Sequence, residues 1–122
     1  MAGTSVLLDT NVIIRWLNGD SVIVSMLRTR GVPLVGNFVG VISKMELLGY
    51  SGLTDSAEQD ISGFLDECTI LGLGDGIVEQ VISLRRRTTR LKLPDAIILA
   101  TARVHGLRLV TLDQRLAKLA EA

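Results

Sequence analysis

Four carboxylates in this 122-residue sequence fall where surface solvation explains them poorly. Asp9 lies in VLLDTNVII, Glu46 in ISKMELLGY, Asp95 in KLPDAIILA and Asp113 in VTLDQRL. Asp9 interrupts an apolar run, and a carboxylate buried there is costly unless it is paired, protonated or bound to a metal. If all four converge on one crevice, their mutual repulsion destabilises the fold. Hard divalent cations relieve it, because magnesium takes oxygen ligands from a few carboxylates, waters and phosphates. Such a site suits phosphodiester hydrolysis: metal activates a water, orients the phosphate and neutralises charge on the leaving oxygen.

Each acid also has a plainer reading. Asp9 and Asp113 fit helix caps, each stabilising by about 1 kcal/mol. Asp95 complements a helix dipole, and Glu46 closes a capping box with Ser43, three residues before it. Taken singly, the plainer reading suffices for Glu46 and Asp113. It fits Asp95 less well, because the helix that follows (Ala96, Ile97, Ile98, Leu99, Ala100) is apolar nearly all round. It fits Asp9 least.

The elements that must position these acids alternate between short apolar strands and helices. Ser5 to Leu8 reads as a buried strand, and Asp9-Thr10-Asn11 as cap chemistry before a helix over 11–17. A helix over 21–30 follows, stopped at Gly31, and Pro33 opens a strand over 34–39. Ser43 begins a helix reaching Tyr50, and Thr54 or Asp55 caps one reaching Glu67. A strand over 69–73 precedes a helix over 75–89, and Pro94 opens a helix ending at His105-Gly106. A strand over 107–111 and a helix over 114–120 complete the chain. This pattern predicts an α/β fold with a mostly parallel central sheet of four or five strands flanked by helices, in a single domain over 1–122. Asp9 and Asp113 then sit at or just past the carboxyl ends of strands, where ligand sites of open parallel sheets collect.

Composition bounds the rest. With 48% hydrophobic and 21% charged residues, a folded core is expected, built from Leu, Ile, Val and Ala because aromatics are only 3%. Cys68 is the single cysteine, which excludes an internal disulfide and a multi-cysteine metal site. It is expected to pack as a small apolar group in a reducing cytosol. No secretory leader is visible, and no run approaches the roughly 18 apolar residues of a membrane helix, so a soluble, cytoplasmic protein is expected. Net charge is zero, but setting aside the four acids leaves 13 basic against 9 acidic residues. Arg85, Arg86, Arg87, Arg90 and Lys92 cluster before Asp95. They serve either as a solvated helix end favourable to the dipole or as contacts to nucleic-acid phosphates.

In these motifs the sequence resembles a PIN-domain ribonuclease, and within that family a VapC-type toxin of a toxin–antitoxin pair. LLDTNVII resembles the family's opening strand with its first Asp, VISKMELLGY the segment with its Glu, and KLPDAIILATARVHGLRLVTLDQRL the block with its other two acids and Thr-x-Asp turn. The resemblance implies that Asp9, Glu46, Asp95 and Asp113 ligate one or two Mg²⁺ or Mn²⁺ ions, with Asn11 and Thr111 orienting them through hydrogen bonds. It further implies an RNA substrate, a cognate antitoxin and a homodimer. Two features depart from the pattern: the sequence ends at Ala122, where many relatives continue into a short final strand, and Leu116 stands where an aromatic is common.

Three other readings remain open. A receiver-like or aspartyl-phosphate phosphatase domain would use Asp9 as nucleophile, but position 11 is Asn rather than a second Asp. A PIN-like module could bind RNA or protein without turnover. A housekeeping nuclease would share all four acids.

Overall fold

The computed structural model describes residues 5–121. Four three-residue strands form one parallel sheet: β1 (Val6–Leu8), β2 (Phe38–Gly40), β3 (Thr69–Leu71) and β4 (Arg108–Val110), in the order β3-β2-β1-β4. Helices α1 (Thr10–Leu17), α2 (Ser21–Thr29), α3 (Val41–Leu48), α4 (Asp55–Asp66), α5 (Asp75–Arg87), α6 (Leu93–His105) and α7 (Gln114–Glu121) connect and cover it. The expected α/β class and parallel sheet are present.

Strand β1 is buried on both faces, as its unbroken apolar run requires in a parallel sheet. Leu7 points into one core cluster with Ile77, Leu84, Leu99 and Leu116. Val6 and Leu8 point into the other with Ile13, Leu27 and Val39. Alternation along one strand thus splits the core into two layers. Helix α6 is buried from Ala96 through Ala102, which is why its sequence lacks a polar face. Leu116 is only 2% exposed and fills its place in the first cluster without an aromatic ring.

Two expected boundaries shift. The strand predicted over 34–39 is confined to Phe38–Gly40, while Leu34 and Val35 are exposed. Pro33 has no N–H to donate and Gly36 turns the chain at φ +80°, so pairing starts late. Asn37, just before the strand, donates from Nδ2 to the Pro33 carbonyl at 2.8 Å and holds that turn. Helix α3 begins two residues before Ser43, its cap is Gly40 with no side-chain bond, and it ends at Leu48. The expected Ser43 capping box is therefore not formed, and Ser43 is free to do something else. The Thr54 cap is as expected, accepting from the Ala57 N–H at 3.1 Å.

Candidate active site

All four strands run parallel, so their carboxyl ends share one edge of the sheet. Going from β1, the chain adds β2 and β3 on one side and β4 on the other. The crevice between β1 and β4 is therefore the topological switch point, the favoured position for a ligand site. Asp9 follows β1 directly and is buried, with 5% of its surface exposed.

Register determines its neighbours. Leu8 pairs with Val110, and the Asp9 N–H donates to the Val110 carbonyl at 3.0 Å. Thr111 thus comes alongside Asp9, and its hydroxyl donates to Asp9 Oδ2 at 2.6 Å. Asp9 Oδ1 accepts the Thr10 N–H at 2.8 Å at the start of α1. The Asp113 N–H in turn donates to Thr111 Oγ1 at 3.1 Å, while Asn11 Oδ1 accepts the Leu112 N–H at 3.2 Å. These bonds hold the turn after β4 against the start of α1. Thr111 thus bonds one of the four acids directly, whereas Asn11 bonds the Leu112 backbone and none of the carboxylates.

Asp113 also caps α7, accepting the Leu116 N–H at 3.0 Å through Oδ1. Its plainer role is real and leaves Oδ2 available. Asp95 lies in the first turn of α6, and Glu46 projects exposed from α3. Burial pushes the Asp9 carboxyl above its ordinary value of 3.8, the Thr111 and Thr10 bonds oppose the shift, and the charges of Asp95 and Glu46 add to it. Burial, then Asp113, raises Asp95; Glu46 adds to this, while Lys92 and Arg115 oppose it. Asp9 and Asp95 thus each lie within reach of the charge of other acids of the set.

These shifts carry a pH signature. Both carboxyls titrate higher in the folded state than in the unfolded chain, so folding takes up protons between the two values. Their contribution to stability is complete below about pH 4 and is lost as pH rises through the raised native values. Without divalent cations, thermal melts should therefore show these two groups favouring the fold as pH falls towards their ordinary value of 3.8, with a smaller slope in Asp9→Asn. An unchanged slope would assign the effect to other groups.

The donor chemistry fits a hard cation. Among the described residues, the ion pair present is Arg15–Asp20 at 3.5 Å, outside the site, and no basic group forms one with the four acids. No three acidic, histidine or cysteine side chains among the described residues close around one point. That is compatible with magnesium, which usually keeps several waters and takes only one or two carboxylates plus phosphate oxygens.

Thr10 and Ser43 were expected from sequence only as cap chemistry, and Arg115 was not singled out. Thr10 Oγ1 lies 2.7 Å from Glu46 Oε1 and 2.8 Å from Ser43 Oγ, joining α1 to α3. Arg115 donates to the carbonyls of Thr89 and Arg90 and so braces the loop where Arg90 takes φ +61°. Lys92 and Arg115 are the cations nearest in effect to Asp95. Of the basic cluster, Arg85 Nε donates to the Leu91 carbonyl and Arg87 Nε to the Ser83 carbonyl, so these two are partly structural.

A family model described as the PIN domain matches residues 37–122. The chain belongs to the PIN-domain family. The match omits the segment with Asp9. A chain of a toxin–antitoxin complex from Klebsiella pneumoniae is 34% identical, with TM-score 0.77, covering 91% of this chain and 88% of that one. A chain of FitAcB from Neisseria gonorrhoeae is 23% identical, with TM-score 0.75 and coverage of 96% and 94%. A chain of VapBC2 from Rickettsia felis, bound to a DNA fragment from its promoter, is 16% identical, with TM-score 0.72 and coverage of 93% and 91%. These last two share the fold. Among curated protein sequences none matches. Among the described residues of this PIN domain, no helix is long and apolar enough to cross a membrane.

Proposed function

We propose that this PIN domain is a metal-dependent endoribonuclease and the toxin of a toxin–antitoxin pair. The observation that carries the reading is Asp9, a carboxylate buried at the carboxyl end of β1 beside Thr111 at the β1–β4 switch point, with no ion pair to it or to Glu46, Asp95 and Asp113 among the described residues. The 34% identical chain from a toxin–antitoxin complex supports the toxin assignment and, with it, a cognate antitoxin. A homodimer and a cytoplasmic location belong to the same reading.

Asp9, Glu46, Asp95 and Asp113 would hold one or two Mg²⁺ or Mn²⁺ ions. Such cations supply charge neutralisation on the scissile phosphate and activation of the attacking water. The protein does the positioning. Thr111 and the Thr10 N–H fix both oxygens of Asp9. Asn11 holds the turn that presents Asp113. Lys92 and Arg115 place positive charge beside Asp95, where an incoming phosphate meets the rim, and Arg86 and Arg90 extend that charge along the RNA. Salt should weaken this attraction.

The test is incubation of the purified protein with structured and unstructured RNAs, in Mg²⁺, in Mn²⁺ and in chelator. Cutting with either metal and none in chelator is expected. Equal cutting in chelator would overturn the reading, and Mn²⁺ binding without cutting of any RNA would favour a binding module.

A further inference from the structure

Ser43 is fully buried, at 0% exposure, one helical turn before Glu46 on α3. Its hydroxyl lies 2.8 Å from Thr10 Oγ1, which lies 2.7 Å from Glu46 Oε1. A hydroxyl has a single proton to donate. Because the ionised Glu46 carboxylate only accepts, Thr10 gives its proton to Glu46 and accepts the proton of Ser43. The chain of bonds runs Ser43 to Thr10 to Glu46, leaving α3, crossing to α1 and returning. The same Thr10 gives its backbone N–H to Asp9 Oδ1 at 2.8 Å. One residue therefore contacts two of the four acids, by backbone on one side and side chain on the other.

That arrangement answers a difficulty at Glu46. Its side chain is exposed and long, and ordering it costs rotamer freedom. Asp9 has no such freedom, being short, buried and bonded at both oxygens. Without a tether, Glu46 would sample many positions relative to Asp9, and a cation would bear the cost of ordering it.

We propose that Thr10 is a positioning residue that holds Glu46 in register with Asp9 for a shared divalent cation, with buried Ser43 orienting the Thr10 hydroxyl. This rests on the four-acid cation site proposed above. Partners that orient metal ligands typically contribute about 10- to 100-fold in metal affinity.

Mn²⁺ titration, followed by calorimetry and by the cation-dependent rise in Tm, separates positioning from packing. Thr10→Val keeps the shape and removes the hydroxyl, and should weaken Mn²⁺ binding about 10-fold or more. Thr10→Ser keeps the hydroxyl and should restore it. Because Thr10→Val strands the buried Ser43 hydroxyl, its Tm in chelator should fall as well. The double variant Thr10→Val/Ser43→Ala removes both polar partners, so its Tm in chelator should recover while Mn²⁺ affinity stays low. Wild-type affinity in Thr10→Val, or affinity in the double variant that recovers with its Tm, would overturn the positioning role and leave the cation site standing. Absence of Mn²⁺ binding by the wild type would overturn the site itself, and this role with it.

Discussion

Asp95→Asn is expected to lose RNA cleavage by at least about 100-fold, since loss of an orienting partner alone costs 10- to 100-fold and Asp95 is read as a ligand. The substitution keeps the size and planar shape of the side chain. It removes a charge that burial and Asp113 both oppose, so stability in chelator should stay equal or rise. Initial cleavage rates in Mg²⁺ and thermal melts in chelator check the two halves together. A large fall in Tm without metal would instead make Asp95 a structural helix charge, and retained cleavage would remove it from the site. Asp9→Asn should behave in the same direction, because burial is the largest cause of its raised value.

Leu99→Ala should have the largest effect on stability, about 3 kcal/mol within a usual range of 2–5 for such core truncations. Leu99 is fully buried in the middle of α6, whose inner residues pack against Leu7 of β1 and against α5. Domains of this size are typically stable by only about 5–15 kcal/mol, so the urea midpoint should move well down. Cleavage per folded molecule should change little at low temperature, because no carboxylate or hydrogen bond of the site is touched. A loss under about 1 kcal/mol would show that α6 relaxes into the space.

The pairing of these two substitutions, four residues apart on one helix, reflects what the sequence discloses. Asp9 was legible because a carboxylate in an apolar strand has few explanations, and Asp95 because its helix has no polar face. The β1–β4 crevice followed from strands ending at Leu8 and near Val110 in a parallel sheet. Thr111 as a partner of the acids came from the family resemblance, and the observed β1–β4 register brings it to Asp9. Thr10 and Ser43 were hidden for a different reason: they are 33 residues apart, and their contact depends on how α1 lies across α3. Ser43 was misread as a cap because Ser three residues before Glu is a common cap spacing, while the real cap, Gly40, offers no side chain. The strand predicted from Leu34 failed because apolar type outweighed the turn signals of Pro33 and Gly36. Arg115 was invisible because its work is done on carbonyls of a loop 25 or more residues away.

Cys68 illustrates a plain reading that the structure explains. Burial pushes its thiol up to about 11, with Glu67 adding to the shift, and it donates weakly to the Phe64 carbonyl at 3.4 Å. A thiol so protonated packs and does not react.

The central claim is that the acids at the β1–β4 crevice hold a divalent cation. Diffraction from crystals grown with Mn²⁺, collected to record its anomalous signal, tests that most directly. The account predicts an anomalous peak at the β1–β4 switch point, ligated by carboxylate oxygens of Asp9 and Asp95. A peak at another site, or a crevice without one in Mn²⁺-saturated crystals, would contradict it.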